Sequence, residues 1–264
     1  MIEISQSVIR VIFFFGVLLV MMFFEWRFPR RQLKCSCKIR WTNNLALVFI
    51  DTILLRVVVP ILAIGIAIIA EQKKWGVFNL FAGYYWFKVI ISVIILDFII
   101  YLQHVMFHKF SLFWRMHRMH HTDLDIDVTT GLRFHPLEII LSMIIKMIAV
   151  IIFGIPVFGV LVFEILLNAT SMFNHSNVFI PLKLDKYLRC FIVTPDMHRV
   201  HHSIYRQETD SNYGFNLPWW DRICGTYKAQ PRDGHINMQI GLKIFRDVKF
   251  LKVWWLLLIP FIKA

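Results

Sequence analysis

"YYWFKVIISVIILDFIIYLQHVMFH", Tyr84 to His108, joins two signals in one segment. Its first part, Tyr84 to Gln103, is an apolar run of the roughly 20 residues that a membrane-spanning helix needs. Its end carries His104 and His108 at i, i+4, which a helix sets on one face. The segment therefore reads as a helix that crosses a membrane and presents two imidazoles where it emerges.

Similar runs lie on both sides. Val8–Trp26 and Leu45–Ala70 are each long enough to span. Leu137–Phe153 and Val157–Phe173, about 17 residues each, flank "GIP" at 154–156 and read as a helical hairpin whose two ends return to one side. Hydrophobic residues make up 58% of the 264-residue chain, against roughly 45–50% in soluble domains. The pattern predicts an all-α, polytopic membrane helical bundle. The first run lacks a small-residue cleavage site and is followed at once by "RFPRR", so it is expected to be a span rather than a cleaved signal peptide.

Charge orients the bundle. Residues 27–40 carry six basic side chains and no acidic one, which places them in the cytoplasm. Counting spans from there puts 104–136 and 174–250 on the same side. Three regions follow: N-terminal spans and a basic loop over 1–83, a histidine-bearing region over 84–228 with a cytoplasmic helical cap, and a tail with an apolar interfacial segment over 229–264. The net charge of +12 suits a membrane edge facing anionic lipid better than nucleic acid. Cys35, Cys37, Cys190 and Cys224 fall on the cytoplasmic side and are expected to be reduced.

The histidines carry the chemistry. "HRMHH" (117–121) and "HRVHH" (198–202) each place three imidazoles at i, i+3, i+4, so that a helix could aim all three at one point. His135 in "LRFHPLE" and His175 in "FNHSN" flank the hairpin, and ten of the eleven histidines gather at membrane edges or in the short segments between. A lone histidine is usually a surface or satisfied core residue, and His235 reads so. Clustered imidazoles at a membrane edge need partners, and a shared metal supplies them. One tetrahedral zinc takes four ligands. Nine or ten histidines exceed that and fit two ions, held as helical bundles hold metal pairs.

Together, "HVMFH", "HRMHH" and "HRVHH", with "GLRFHPLE", "NHSN", "TPDMHRVHHS" and "DSNYGFNLPWWDRICGTY", resemble the histidine boxes of the fatty acid hydroxylase and sterol desaturase superfamily over about 97–228. The wording of "GLRFHPLE" and "NLPWWDR" is similar to bacterial members and to the alkylglycerol monooxygenase branch. The resemblance implies a membrane-bound non-haem di-iron oxygenase, holding two Fe ions that Zn can replace in purified protein. Such enzymes use O2 and two electrons to hydroxylate or desaturate a lipid: fatty acyl, sterol-like or ether. It implies the ligands His104, His108, His117, His120, His121, His175, His198, His201 and His202, with His135 at a position whose occupant varies. Where some members carry a paired His-x-x-x-His, this chain has His175 alone, which leaves one metal an open or water-filled position or the use of His135. No reductase domain or nucleotide motif is visible, so electrons are expected from an external donor, a b-type cytochrome or a ferredoxin with its reductase. The expected location is the bacterial inner membrane, with the boxes on the cytoplasmic side. The competing class, a histidine-rich membrane metal-binding or transport protein, would place ligands at mid-span.

Metal-bound histidines commonly donate their second N–H to a carboxylate. Asp97, Asp123, Asp125, Asp127, Glu138, Asp196 and Asp210 lie near the boxes, and Asp123 and Asp196, each within two residues of one, are the favoured partners; helix capping is the competing role for both. Asp97 stands seven residues before His104 on roughly the same helix face. Arg118 and Arg199 are expected to be solvated or at the lipid edge.

Overall fold

The computed structural model describes residues 2–263. Among them no strand ladder forms, and helices dominate. Five helical stretches are long and apolar enough to cross a membrane, which makes the chain a multi-pass membrane protein. Helix α1 (Ile2–Arg27) carries large apolar side chains such as Ile12, Leu19 and Phe23 on an exposed face, where lipid would lie.

The second span differs from the single helix expected over Leu45–Ala70. Helix α2 (Cys37–Val58) stops before Pro60, and α3 (Ala63–Lys73) begins after it. Proline has no N–H to donate, and its ring pushes the preceding residue out of helical geometry; Val59 sits at φ −123°, ψ 82°. Helix α4 (Tyr85–Lys109) ends where Phe110 turns extended, and α5 (Ser111–His121) folds back from there. The hairpin is α6 (Pro136–Phe153) and α7 (Val157–Asn174), each about 27 Å long at 1.5 Å per residue.

The turn between α6 and α7 uses Gly154 at φ 66°, a conformation that side chains with a Cβ resist. It lies directly against Gly76 in the α3–α4 connection. A Cβ on Gly76 would stand 2.0 Å from the Gly154 nitrogen, so the two connections touch and close that end of the bundle.

The opposite end holds the site. Helix α1 packs on α7, α4 on α7 and α5, and both α2 and α3 on α6. The basic segment after α1 pairs with the segment after α7: Arg30 N donates to Asn177 O at 2.7 Å, and Phe179 N to Phe28 O at 2.8 Å. Arg40, in the first turn of α2, bonds Asp123 and Asp127 beyond α5. Basic loop and histidine boxes therefore share one end of the bundle, as charge counting along the sequence expects. Two short helices, α8 (Leu182–Leu188) and α9 (Pro195–His201), complete that end. The core between the spans is apolar, with Leu96, Val150, Ile155, Val160 and Phe163 fully buried.

Candidate metal centre

Four elements deliver nine imidazoles to one place. Helix α4 brings His104 and His108, α5 brings His117, His120 and His121, the C-terminal end of α7 brings His175, and α9 with the residue after it brings His198, His201 and His202. The short α9 is set by its start: Thr194 Oγ1 accepts from Met197 N, and Pro195 occupies the first turn. None of the nine is more than 4% exposed.

They form two groups, in each of which the candidate ligand atoms lie within 4.8 Å of one another. The first is His104, His108, His117, His121 and His201; the second is His120, His175, His198 and His202. Each HR-HH box therefore divides between the groups rather than aiming at one point. His117 and His121, one turn apart on α5, go one way, and His120, on an adjoining face, goes the other. The second box splits in the same manner, His201 against His198 and His202.

Hydrogen bonds fix the tautomers. A carbonyl oxygen only accepts, so a ring nitrogen bonded to one must carry the proton. His104 Nδ1 donates to Tyr213 O, His120 Nδ1 to Arg133 O, His175 Nδ1 to Ser171 O and His201 Nδ1 to Ser211 O, at 2.7–3.0 Å. Their Nε2 atoms are then bare lone pairs. Yet His120 Nε2 stands 3.1 Å from His175 Nε2, and His175 Nε2 stands 3.1 Å from His198 Nε2. In the first group His117 Nε2 is 3.1 Å from His104 Nε2 and 3.2 Å from His121 Nε2. His120 and His175 both carry their protons on Nδ1, so across their 3.1 Å contact lone pair faces lone pair, which repels unless a cation lies between them. Two nitrogens roughly 2.1 Å from one ion and at right angles stand about 3 Å apart, which matches. Burial drives the His117 and His175 pKa values down to about 3. Burial and neighbouring imidazoles press those of His120, His121, His198, His201 and His202 well below the usual histidine range. Neutral imidazole is the form that ligates metal. The residues present fit a pair of bound ions.

The supporting carboxylates differ from the favoured pair. Glu138 Oε1 accepts from His117 Nδ1 at 2.7 Å, and Asp210 Oδ1 faces His108 Nδ1 at 3.3 Å. Asp123 touches no cluster histidine. It follows α5 and turns away toward Arg40, which it grips with both oxygens at 2.8 and 2.9 Å. Burial alone would raise its pKa; Arg40 and Arg133 hold it down at about 2. Asp196, in the first turn of α9, bonds Arg30 and Arg199 and lies 3.7 Å from His235. These two carboxylates clamp the scaffold on which the histidines stand.

His135 falls outside both groups. It caps α6, its Nδ1 accepting from Leu137 N and its Nε2 donating to Leu257 O. Arg118 and Arg199 are buried, contrary to the solvated or lipid-edge places expected of them. Arg118 donates to the carbonyls of Ile259 and Ile262 near the C-terminus, and Arg199 to Asp196 and Ser176 O. His235, read as a surface or satisfied core residue, is buried, at 5% exposed. Asp97 accepts from Asn216 N, Leu217 N and Trp220 Nε1. It anchors the 213–220 loop, whose Tyr213 and Phe215 rings pack on His104.

A cavity of about 250 Å³ runs from the first group into the bundle between α1, α2, α4, α6 and α7. His104 and His117 form part of its wall beside Phe107, Phe134 and Phe215. Thr52 on α2 and Asn168 on α7 also line it and are exposed, so the cavity reaches the flank of the bundle where a lipid chain would lie.

Comparison with known proteins agrees with this geometry. The family model for fatty acid hydroxylase matches residues 89–226. The ornithine lipid hydroxylase OlsE of Rhizobium tropici is 29% identical over 161 residues, 60% of this chain and 47% of that protein. Human alkylglycerol monooxygenase is 31% identical over 169 residues, 62% of this chain and 35% of that protein. Mouse lathosterol oxidase is 27% identical over 147 residues, 54% of this chain and 47% of that protein. The chain thus spans less than half the length of these relatives. No solved structure matches it at a significant level. The matched residues run from α4 to just past Trp220 and so contain every histidine of both groups: the chain belongs to the fatty acid hydroxylase family.

Proposed function

We propose that this chain is a membrane-bound lipid oxygenase that hydroxylates or desaturates a lipid chain using O2 and two electrons. One observation carries the reading: two buried sets of imidazoles, with bare nitrogens turned inward, adjoin a mostly apolar cavity. His104, His108, His117, His121 and His201 would hold one iron ion; His120, His175, His198 and His202 would hold the other. Bound there, the pair would supply the O2-dependent oxidation of an unactivated C–H bond, chemistry beyond any side chain.

The protein's own residues do the rest. Phe107, Phe134 and Phe215 offer an apolar wall to the substrate chain beside His104 and His117. Glu138 keeps the His117 ring in one tautomer and orientation, and Asp210 faces His108 in the same way. Near-complete burial of the nine imidazoles keeps bulk water from the reacting region. The three relatives are named for an ornithine lipid, an alkylglycerol and a sterol, which supports a lipid substrate while leaving its headgroup class broad.

The six basic residues of 27–40 lie at the histidine end, which supports a cytoplasmic site in a bacterial inner membrane, open to a b-type cytochrome or ferredoxin donor. The test is metal content of detergent-purified protein beside a His120→Ala, His201→Ala double variant, which takes one ligand from each group. About two irons per chain, or zinc in their place, are expected in the wild type and a large loss in the variant. Equal metal in both proteins would end the reading. Iron-loaded protein with a reductant should then convert a membrane lipid to its alcohol or alkene, consuming O2.

A further inference from the structure

The cavity beside His104 and His117 is not uniformly apolar. Asp51 on α2, Gln103 on α4 and Glu138 on α6 all line it. They are 8%, 9% and 3% exposed. Among the described residues, Asp51 Oδ1, Gln103 Oε1 and Glu138 Oε2 are buried and find no hydrogen-bond partner. All three are oxygens, on three different helices, around one cavity.

Such an arrangement is costly in a membrane. An acceptor oxygen taken out of water without a donor loses its hydration and gains nothing in return, and lipid tails offer no donors. Asp51 lies eleven residues beyond Arg40 along α2, about 16 Å deeper into the bundle by helix rise. A cavity that held only hydrocarbon would be lined here by apolar side chains, as it is at Leu55, Ile100 and Leu132. Three other polar side chains of the lining are engaged: Thr52 Oγ1 donates to Val48 O, Asn168 Nδ2 to Glu164 O, and Ser171 Oγ to Gly131 O. The three buried oxygens each lack a donor.

Building on the oxygenase reading, we infer that the substrate carries a hydrogen-bond-donating group, a hydroxyl or an amide N–H, which is held by Asp51, Gln103 and Glu138 beside the metal site. Donor recognition of this kind does two things. It selects donor-bearing lipids over plain hydrocarbon chains of equal length, because a donorless chain leaves the oxygens unpaired. It also fixes which carbon of the chain stands beside His104 and His117, since the donor pins the chain at one point.

The experiment compares matched probes on metal-loaded protein in detergent. A hexadecyl glycerol monoether has two hydroxyls; its di-O-methyl derivative has the same carbon skeleton and no donor. N-hexadecylacetamide and its N-methyl form make the corresponding amide pair and tell hydroxyl from amide. Binding is read as the concentration that half-displaces a fluorescent fatty probe. The donor-bearing member of at least one pair is expected to bind about tenfold more tightly than its methylated partner. An Asp51→Leu, Gln103→Leu variant should bind both members alike, while Asp51→Asn, which keeps an acceptor oxygen and the side-chain shape, should retain most of the preference.

Equal binding of both members of both pairs by the wild type would overturn the inference, showing that water satisfies the oxygens. A preference undiminished in the double leucine variant would overturn it too, placing donor recognition elsewhere. Absence of any binding has the same consequence. Metal content, measured on the same samples, separates the two claims: a metal-loaded protein without donor preference loses only the inference, whereas a wild type that takes up no metal loses the oxygenase reading itself.

Discussion

Replacing Arg40 by methionine removes a single guanidinium from a site with no access to water. Arg40 is 0% exposed. It donates to both oxygens of Asp123, to Asp127 Oδ2 and to Thr130 Oγ1. Asp123 and Asp127 are themselves fully buried. Methionine fills much of the volume, so the loss is chiefly electrostatic. Two buried carboxylates stay behind, with Thr130 and the more distant Arg133 as remaining help for Asp123. Breaking a buried ion pair from one side costs about 3–5 kcal/mol, a large share of the roughly 5–15 kcal/mol that hold a domain together. The assay is equilibrium unfolding of detergent-solubilised protein, with two probes to confirm one transition. A triple variant, Arg40→Met with Asp123→Asn and Asp127→Asn, removes the stranded charges and should recover much of the loss. Arg40→Lys should fall between, since an ammonium cannot grip both Asp123 oxygens in a fork. A single-variant cost below about 1 kcal/mol, the range of exposed pairs, would refute the claim that this cluster is dry. A triple variant as unstable as the sum of its parts would refute the claim that charge is the cause.

Two further outcomes follow from the centre. Gly131→Ala puts a Cβ 2.4 Å from Ser171 O, the carbonyl that orients His175, and 3.2 Å from His175 Nδ1; backbone must shift, so the second group should lose metal first, read as a fall toward one ion per chain. Glu138→Leu strips the acceptor from His117 and should weaken metal retention about 10–100-fold, whereas Glu138→Gln, whose amide oxygen still accepts, should lose much less; chelator competition measures both, and equal losses would contradict an orienting role.

The spans and the boxes are legible in the sequence because they are local patterns: apolar length for α1, α4, α6 and α7, and i, i+3, i+4 spacing for the histidines. The interruption at Val59–Pro60 was also written there, in a proline, but the apolar run across it is continuous and composition does not register a missing N–H. How each box divides between two groups was not legible, because that depends on where α4, α7 and α9 meet α5. Nor were the carboxylate partners. Proximity in sequence favours Asp123 and Asp196, yet His117 is met by Glu138, 21 residues away, and His108 by Asp210, 102 residues away. Arg118 and Arg199 look like surface residues because arginine usually is one; Arg118 finds its acceptors in the C-terminal segment, and Arg199 adds to its near neighbour Asp196 a carbonyl in the turn after α7.

Four of the nine imidazoles are oriented by peptide carbonyls, those of Tyr213, Arg133, Ser171 and Ser211. The centre is thereby insulated from side-chain drift at those four positions, since any residue provides a carbonyl. It is correspondingly sensitive to the path of the main chain. A shift of the 211–213 loop, pinned in turn by Asp221 to Tyr213 N and Gly214 N at 2.8 Å, would rotate two rings of the first group at once. Those imidazoles thus behave as a gauge of backbone geometry: a displacement of that buried loop, passed on by the residues packed around it, is registered at His104 and His201 without either ring being touched.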